Sequence, residues 1–405
     1  MKKITVQDAV GMTLCHDITE MNDEFKGVAF RRGHIIQERD IEHMLRIGKQ
    51  HIFVWEDHAG EIHEDDCARR MAAMAPVPGA HYTEPTEGKV SLIADRRGLF
   101  RVNRKLLKQI DSIGDLTICT LPDHYPVEPG ARLASMRIVP LVTAETQMIE
   151  AENLCAREKL LDLLPYHYKK IGVVITGSEV YHGRVPDKFG SGIRAKVQQY
   201  PCEIVGATIC DDDVEMIVAA ANAHLAKGAD FLIFTGGMSV DPDDLTPAAV
   251  RKLGADMVSH GVPAQPGNMM LVAYLGEIPI LGIPGAAIRR PTTVFDVLLP
   301  QIFAGERIRR EELISLADGG LCQMCETCHW PNCTFGRYLN NPECFVGIRD
   351  FFRKKYYTFS SAFSLGSRMF SRMATIAAGT MPEPPKISLT AWGAKFRMPV
   401  LAPIP

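Results

Sequence analysis

The middle of the sequence predicts an α/β protein in which helices cover both faces of a mainly parallel sheet, giving three α/β/α layers. Between residues 166 and 310, short apolar runs typical of buried strands alternate with longer segments of helical periodicity. Small-residue turns follow several of the apolar runs, where strands should end. Strands and helices alternate in this way when parallel strands are joined by helical crossovers.

The elements of this predicted domain follow one another in chain order. The clearest helix spans residues 214–227, because its apolar side chains recur on one face and the aspartates at 211–213 provide a cap and first-turn charge. The predicted strands are 171–176, 203–209, 231–234, 269–273 and 278–283. The predicted helices are 190–200, 214–227, 246–253 and 292–303.

Three of the predicted strands end in turns built from small residues. In mainly parallel sheets, ligands bind outside the carboxyl ends of the strands. We therefore expect the backbone N–H groups and hydroxyls of these turns to form anion-binding nests along one edge of the sheet. The turns are Thr176-Gly177-Ser178-Glu179, Thr235-Gly236-Gly237-Met238-Ser239 and Pro284-Gly285-Ala286-Ala287.

Three aspartates, Asp241, Asp243 and Asp244, follow the second of these turns. Carboxylates this close together repel one another, and Mg²⁺ lying between them and a phosphate would relieve the repulsion. The pattern therefore predicts candidate ligands for Mg²⁺ on a phosphorylated substrate. The alternative is that the glycines only make a turn, and that an aspartate caps the helix beginning at Thr246.

The composition argues against several classes of protein. The 405 residues are 46% hydrophobic and carry a formal net charge of -3, which gives no overall attraction to nucleic acid. Residues 1–14 contain lysines but no continuous apolar core, so we expect no signal peptide and a cytoplasmic protein. The apolar stretch 269–288 includes prolines, glycines and a glutamate, which favours a buried sheet over a membrane span.

Residues 1–165 predict a mixed, β-rich region that is less regular than the sheet domain. Residues 84–94 and 98–102 indicate short strands and turns. Residues 154–164 indicate a helix that leads into the sheet domain, and residues 76–79 indicate a linker.

A group of polar side chains in this region has the composition of a metal site. We favour a solvated turn followed by a helix cap, because no second group of potential ligands accompanies it. The group consists of His58, His63, Glu64, Asp65, Asp66 and Cys67.

The segment 311–337 is rich in cysteine and predicts a metal site. Its four cysteines are separated by three, three and five positions, with His329 nearby, and tight thiolate clusters suit Zn²⁺ or an Fe-S cluster. Reduced cysteines in a loop are the alternative. The cysteines are Cys322, Cys325, Cys328 and Cys333.

The remaining residues, 338–405, form a basic and aromatic tail. Such a composition occurs in segments that bind nucleic acid or membrane surfaces. No sustained periodicity accompanies it here, so we draw no function from the tail and expect neither a nucleic-acid nor a membrane partner.

An ordered series of motifs resembles the molybdenum cofactor biosynthesis domain, which occurs in molybdopterin adenylyltransferases and molybdopterin molybdotransferases. The resemblance covers about residues 170–308. Residues 25–36 and 45–54 are similar to the short β segment that precedes this domain in the molybdotransferases. The motifs are Thr176-Gly-Ser-Glu179, Gly183-Arg-Val-Pro-Asp187, Asp211-Asp212, Thr235-Gly-Gly-Met-Ser-Val240 with Asp244, Pro266-Gly267 and Ile283-Pro-Gly285.

The resemblance implies that molybdopterin, or its adenylated form, is held by its phosphate over the edge of the sheet. Gly236, Gly237 and Ser239 would contact the phosphate, and Asp244 and Glu179 would serve Mg²⁺ or the transferring group. The resemblance also implies that Asp187 flanks the pterin and that Pro284 and Gly285 line the pyranopterin side. The other implied cofactor-binding residues are Thr176, Gly177, Ser178, Thr235, Met238, Asp243, Pro266 and Gly267.

The sequence departs from the molybdotransferase pattern at several positions. Residues 240–244 are closer to the acidic pair of competence-damage-inducible proteins of the same fold. Where the pattern has a serine and an asparagine after Asp187, this chain has Lys188 and Phe189. It also has Asn268 in place of the usual lysine and Ala286 in place of the usual asparagine.

Three functions remain open at this point. The first is Mg²⁺-dependent handling of molybdopterin or its adenylate during molybdenum insertion from molybdate. The second is nucleotide pyrophosphate hydrolysis, and the third is a non-catalytic carrier or sensor of the cofactor. We also expect a homo-oligomer whose partner is a molybdoenzyme or another cofactor-biosynthesis protein.

Overall fold

A computed structural model describes residues 2–22, 26–54, 59–187, 189–239 and 241–337. The tail at 338–405, together with His58 and Val240, lies outside the described residues. In the described ranges, no helix is both long and apolar enough to cross a membrane.

The strands fall into an N-terminal set and a sheet-domain set. The N-terminal strands are β1 (Lys2–Thr5), β2 (Ile18–Met21), β3 (Lys26–Phe30), β4 (His51–Val54), β5 (Glu61–His63), β6 (Ala80–Tyr82), β7 (Val90–Ala94), β8 (Gly98–Val102), β9 (Leu116–Thr120), β10 (Tyr125–Val127), β11 (Arg132–Ile138), β12 (Val142–Ala144) and β13 (Leu161–Leu164). The sheet-domain strands are β14 (Lys169–Thr176), β15 (Cys202–Cys210), β16 (Phe231–Thr235), β17 (Asp256–His260), β18 (Leu271–Leu275) and β19 (Ile278–Ile283).

The helices divide between the same two parts of the chain. Those of the N-terminal region are α1 (Asp40–Arg46), α2 (Glu64–Met74), α3 (Arg104–Ile110) and α4 (Glu145–Cys155), with a 3-10 turn at Gln7–Ala9. Those that follow are α5 (Ser178–Tyr181), α6 (Phe189–Val197), α7 (Val214–Ala226), α8 (Thr246–Lys252), α9 (Ala286–Arg289), α10 (Val294–Phe303) and α11 (Arg310–Ser315).

The sheet domain is built on a mixed, mainly parallel sheet. In the described part of the chain its six strands have the order β15-β14-β16-β19-β18-β17. The first four are parallel to one another, while β18 runs antiparallel to both β19 and β17. The α/β class predicted from the alternation of strands and helices is therefore confirmed.

Apolar side chains on both faces of the sheet are buried. Ile171, Val173 and Ile175 of β14 pack in one core with α6 and α10, whereas Val174 packs in a second core with α7 and α8. Because successive strand residues point to opposite faces, a continuous apolar run is what a strand covered on both sides requires. These two cores make the three layers predicted from the sequence.

The described residues of the N-terminal region form two separate apolar cores. The first gathers buried residues between Val6 and Val54, where β1 pairs with β4 and β2 pairs with β3. The second gathers residues between Ile62 and Leu163 around α2, α3, α4 and two small antiparallel sheets. Strands contribute to both of these cores.

Two N-terminal predictions are wrong, and a third is correct only in part. The helix predicted at 154–164 is instead the end of α4 followed by β13, because β8 offers a strand edge that Leu161–Leu164 completes in antiparallel register. The linker predicted at 76–79 is a short loop between α2 and β6 whose Val77 is 6% exposed and packs in the second N-terminal core, so it joins two elements of one core rather than two domains. His63 caps α2 by accepting a hydrogen bond from the N–H of Asp65, as the helix-cap interpretation required. The turn is not solvated as predicted, because His63, Glu64 and Cys67 are buried.

The sheet domain is tied to the N-terminal region by charged and aromatic contacts. The Arg97 guanidinium lies 5.6 Å from the ring centroid of Tyr166 and 5.2 Å from that of Tyr200. Arg101 pairs with Asp123 at 2.8 Å and also with Glu306, which follows α10. These contacts join β8 to the core beneath the sheet.

Candidate functional site

The site lies where β15, β14, β16 and β19 end along one edge of the sheet. Because the four strands are parallel, the loops that follow Thr176, Thr235 and Ile283 meet at that edge. A cavity of about 870 Å³ opens there, which is within the size range of ligand pockets. It is lined on the β14 side by Glu179, Val185 and Pro186, and on the β19 side by Gly285, Arg289 and Arg290.

The first turn, at residues 176–179, is held by the aspartates that follow β15. The Ser178 N–H donates to Asp212 Oδ2 at 2.8 Å, and the Ser178 hydroxyl donates to Asp211 Oδ1. The hydrogen bond from Ser178, together with the Asp212 N–H and His182, lowers the pKa of the Asp211 carboxyl. The Ser178 donors predicted for an anion nest are thus engaged by protein carboxylates.

The second turn packs tightly against the end of β14. Gly236 has φ +83°, and a Cβ at this position would lie 2.1 Å from the carbonyl oxygen of Thr176. The Thr246 hydroxyl donates to the Gly236 carbonyl at 3.0 Å and lies 3.2 Å from the Thr176 hydroxyl. The turn therefore requires glycine for both its backbone conformation and its packing.

Two further residues of this turn differ in their surroundings. Met238 is 4% exposed, its side chain packs against Gly282 and its carbonyl lies 3.0 Å from His260 Nε2, so it presents little surface to a ligand. Ser239 is exposed. Beneath the turn, the Thr235 hydroxyl is buried and has no hydrogen-bond partner in the described ranges.

The aspartates after the turn form a small hydrogen-bonded loop. Asp244 Oδ2 accepts a hydrogen bond from the Asp241 N–H at 3.1 Å, and the Asp244 N–H donates to the Asp241 carbonyl at 3.0 Å. Asp241 and Asp243 are exposed and Asp244 is half-buried. The cap of α8 is Leu245, so Asp244 stabilises its own loop and makes no side-chain cap to the helix.

The other two acidic residues predicted to be catalytic occupy different settings. Glu179 lines the cavity from the first turn of α5. The Asp187 carboxylate accepts from the N–H of Gly190 at 3.0 Å, the geometry of a cap at the start of α6. Its pterin-flanking role stays a prediction.

The third turn leads into the basic wall of the cavity. Pro284 and Gly285 are followed by α9, and Gly285 is exposed with open space where a Cβ would stand. Arg289 and Arg290 are exposed on the cavity, and among the described residues neither is paired with a carboxylate. Sequence reasoning missed these two arginines, although an adjacent basic pair just after a turn at a strand end was a usable signal.

The Pro266-Gly267 turn lies outside the lining of the large cavity and supports neighbouring elements. The Pro266 carbonyl accepts from the Val294 N–H at 3.1 Å, so the turn holds the start of α10. Residue 265 pairs with the cysteine-rich segment, since the Gln265 N–H donates to the Gly320 carbonyl and its own carbonyl accepts from Cys322. Pro266 lines a second cavity with that segment.

The four predicted cysteines line this second cavity, of about 110 Å³, together with His329 and Arg290. None of the four forms a disulfide in the described structure, and Cys325, Cys328 and Cys333 are exposed. In the part of the chain that the structure describes, no three His, Cys, Asp or Glu side chains are drawn together closely enough to hold an ion. This statement applies equally to the aspartates Asp241, Asp243 and Asp244.

Only some of the predicted site residues therefore line the large cavity. Glu179 and Gly285 share the large cavity, whereas Gly236, Gly237 and the three aspartates are not among its lining residues. The glycine turn belongs to the strand between the two sides of the cavity, at the same edge of the sheet.

Comparison with protein families identifies two segments of the chain. Residues 172–304 match the family described as "Probable molybdopterin binding domain". Residues 3–56 match a domain of unknown function, and this segment contains the first N-terminal core. The resemblance inferred from the ordered motifs is thus confirmed for the sheet domain.

Several known proteins are similar to parts of the chain. A molybdopterin molybdenumtransferase of Synechococcus elongatus is 27% identical over 144 residues, covering 33% of this chain and 36% of that protein. A CinA-like protein of Mycobacterium sp. is 36% identical over 83 residues, 20% of each chain. The chain therefore spans well under half the length of these relatives.

Solved structures of small cofactor-biosynthesis proteins also align with the chain. The tungsten cofactor synthesizing protein MoaB from Pyrococcus furiosus is 20% identical, with a TM-score of 0.30, covering 34% of this chain and 95% of that one. The molybdopterin biosynthesis enzyme MoaB from Thermus thermophilus is 18% identical, with a TM-score of 0.26, covering 33% of this chain and 89% of that one.

Proposed function

We propose that the chain binds molybdopterin or its adenylate at the edge of the sheet and takes part in molybdenum cofactor biosynthesis as a molybdotransferase-like enzyme. The observation that carries this proposal is the cavity of about 870 Å³ between the β14 and β19 loops, with Arg289 and Arg290 on its wall, inside the segment that matches the molybdopterin-binding family. A pterin phosphate is an anion, and two exposed guanidinium groups are suited to bind it.

In this proposal, different loops contact different parts of the ligand. The backbone at Gly236 and Gly237, held against Thr176, would approach the phosphate closely, since no side chain stands in the way. Val185, Pro186 and Ile288 supply apolar surface for the pterin rings. In this arrangement the arginines neutralise charge and the apolar residues orient the ring system.

The acidic residues fit Mg²⁺ only when a phosphate completes its coordination. Mg²⁺ in proteins usually keeps several waters and is held by one or two carboxylates plus substrate phosphate oxygens. Asp244 and Glu179 are the candidate carboxylate ligands for Mg²⁺, and Asp241 and Asp243 belong to the same loop as Asp244. Bound Mg²⁺ would neutralise charge that develops on the transferring group.

The principal test is the substitution Asp244→Asn. Asparagine can still accept the hydrogen bond from the Asp241 N–H, so the loop should keep its form. We expect affinity for adenylated molybdopterin to stay within a few fold, while Mg²⁺-dependent release of AMP falls by roughly 100-fold or more. The control is Asp256→Asn, an exposed aspartate at the opposite edge of the sheet. Undiminished turnover in Asp244→Asn would exclude a catalytic role.

A second candidate function, nucleotide pyrophosphate hydrolysis, is favoured by the adjacent acidic pair Asp243-Asp244 and by the alignment with CinA-like proteins. Assays with a panel of nucleoside diphosphate compounds separate the two activities. Tight binding of molybdopterin with no AMP release from any substrate would favour the carrier role instead.

A further inference from the structure

The cysteine-rich segment has little regular secondary structure and few buried residues of its own. In the described structure, residues 321–334 contain no helix and no strand and are mostly exposed. They are attached by the bridge between Gln265 and Leu321, by Trp330 and Cys322 packing against the sheet-domain core, by the contact of Thr292 Oγ1 with Cys328 Sγ at 3.1 Å, and by buried Phe335. Ordering such a loop costs about 1–2 kcal/mol per residue in backbone entropy. Small segments of this kind are commonly stabilised by a disulfide or a metal.

The four cysteines of this segment line the same cavity. Cys322, Cys325, Cys328 and Cys333 all line the cavity of about 110 Å³, together with His329. The Met324 N–H donates to Cys322 Sγ at 3.4 Å. Backbone N–H groups that point to cysteine sulfur atoms orient them as ligands.

A buried positive charge lies beside the same space. Arg337 is 5% exposed, its Nε donates to the Cys333 carbonyl at 3.2 Å, and its guanidinium lies 4.1 Å from the ring centroid of Tyr125. Its Nη2 atom is buried and has no hydrogen-bond partner among the described residues. A buried guanidinium with an unpaired N–H group carries a charge that its surroundings do not fully compensate. A neighbouring anion would supply that compensation.

We propose that Cys322, Cys325, Cys328 and Cys333 form a metal centre with four thiolate ligands, either a single Zn²⁺ or an Fe-S cluster, next to the cavity at the edge of the sheet. Four thiolates bring more negative charge than the metal or cluster core neutralises, and Arg337 offsets the excess. The sulfur atoms close onto the metal, at about 2.3 Å for Zn²⁺, by local movement of the exposed loop. Metal binding and ordering of the loop are thus one step.

The balance of this step is defined for each metal. When Zn²⁺ binds, four S–H bonds break, four Zn–S bonds form and the protons pass to the buffer. An Fe-S cluster forms from sulfide and iron already in the oxidation states of the cluster, two ferric ions for [2Fe–2S] or two ferrous and two ferric ions for [4Fe–4S]; the four thiols lose their protons to the buffer and bind the iron. No change in the oxidation state of the cysteines is required.

The test begins with the full chain purified without oxygen. We expect about one zinc per chain, or several irons with a matching amount of acid-labile sulfide and visible absorption. After chelation, Co²⁺ added to the protein should produce the intense charge-transfer bands of a thiolate-bound tetrahedral ion. Elemental analysis distinguishes zinc from iron.

Matched variants locate the metal. Cys325→Ser and Cys328→Ser should each lower metal affinity by roughly 100-fold or more, since each removes a ligand. Cys119→Ser changes an exposed cysteine of β9 and should leave the metal content unchanged. Circular dichroism establishes that the variants are folded.

Two results would overturn the proposal. One is metal-free protein in which the four thiols of the segment react freely, or form disulfides, and in which neither Co²⁺ nor Zn²⁺ is taken up. The other is full metal content in both folded variants, Cys325→Ser and Cys328→Ser.

Discussion

Gly236 has a left-handed backbone conformation and packs closely against Thr176. Gly228 provides a control that separates these two effects. Gly228 has the same φ of +83° but open space where a Cβ would stand, whereas at Gly236 a Cβ would be 2.1 Å from the Thr176 carbonyl oxygen. The left-handed conformation alone costs an alanine about 1–2 kcal/mol. The contact with a backbone oxygen adds a steric cost that only movement of the loop can relieve.

We therefore predict that Gly228→Ala lowers the free energy of unfolding by about 1 kcal/mol and leaves ligand binding unchanged. Gly236→Ala should lower it by about 2–4 kcal/mol and weaken molybdopterin binding by about tenfold or more. Urea denaturation and fluorescence titration of the two variants provide the comparison. Equal effects of the two substitutions on binding would remove the Gly236 turn from the site.

Glu64 is a buried carboxyl with a strongly shifted pKa. It is 6% exposed, and burial, reinforced by the neighbouring charge of Asp65, raises its pKa to about 7. Arg137 Nη2, 3.7 Å from Glu64 Oε2, opposes the shift only partly. Between an ordinary glutamate pKa of about 4.3 and pH 7, the folded state holds a proton that the unfolded state has lost. Stability therefore falls as the pH rises through this window.

Glu64→Gln should remove this pH dependence. At pH 5 the variant and the unmodified protein should have similar free energies of unfolding, because Glu64 is then protonated in the folded state. At pH 8 the variant should be more stable by about 1–3 kcal/mol, because it no longer buries a charge. Urea denaturation at both pH values measures the difference, with the exposed residue change Glu150→Gln as control. A variant less stable at pH 8 would contradict the shift.

At the scale of elements, the loop 290–293 connects the basic wall of the cavity to α10 and depends on one buried ion pair. Lys196 Nζ of α6 donates to both carboxylate oxygens of Asp296 at 2.7 Å and to the Pro291 carbonyl at 2.9 Å. The Asp296 side chain also closes a capping box with Thr293. Burial raises the pKa of Asp296 despite the attraction of Lys196. Removing the lysine would thus leave a buried carboxylate with only neutral partners.

Lys196→Met should lower the free energy of unfolding by about 3–5 kcal/mol, because it breaks a buried pair from one side. The matched control is Lys252→Met, which removes a lysine from an exposed pair with Glu215 and should cost less than about 1 kcal/mol. Thermal and urea unfolding give both values. Similar costs for the two variants would mean that the Lys196 pair does not support the loop.

At the scale of the whole molecule, the N-terminal region and the sheet domain share an ionic cluster. Arg101 of β8 contacts Asp123 and Glu306, whose side chains are 11% and 21% exposed, and His124 lies between the two carboxylates. Although burial opposes it, hydrogen bonding and charge from His124 and Arg101 hold the pKa of Asp123 well below its usual range. This stabilisation is present above the ordinary aspartate pKa and is lost as the pH falls toward the lower, folded value.

Arg101→Met should therefore destabilise the chain at neutral pH by about 2–4 kcal/mol and should separate the unfolding of the two parts. Differential scanning calorimetry would then show a split transition in the variant, while Lys105→Met, an exposed control in α3, should behave as the unmodified protein. A single unshifted transition for Arg101→Met would contradict a role of this cluster in joining the two parts.

The fold was more predictable than the site, and particular residues explain why. Continuous apolar runs such as Phe231–Thr235 and an aspartate-capped helix such as Val214–Ala226 carry local patterns that determine strand and helix. The strand Asp256–His260 was missed because it is a half-exposed edge strand with polar residues. Leu161–Leu164 was predicted as helix because the strand edge that it completes is about 60 residues away in the chain.

By itself, the sequence determined three properties: the α/β class, the order along the chain of the turns that follow the strands, and the resemblance of the sheet domain to molybdopterin-binding proteins. These properties depend on local patterns and ordered motifs. Only the tertiary structure decided which of those residues meet. In the folded chain, Ser178 is hydrogen-bonded to Asp211 and Asp212, and Met238 is buried. Arg289 and Arg290 line the large cavity, and the four cysteines line the second cavity together with Arg290. Distances between residues on different loops depend on the packing of the strands and helices that carry them, and no local pattern encodes that packing.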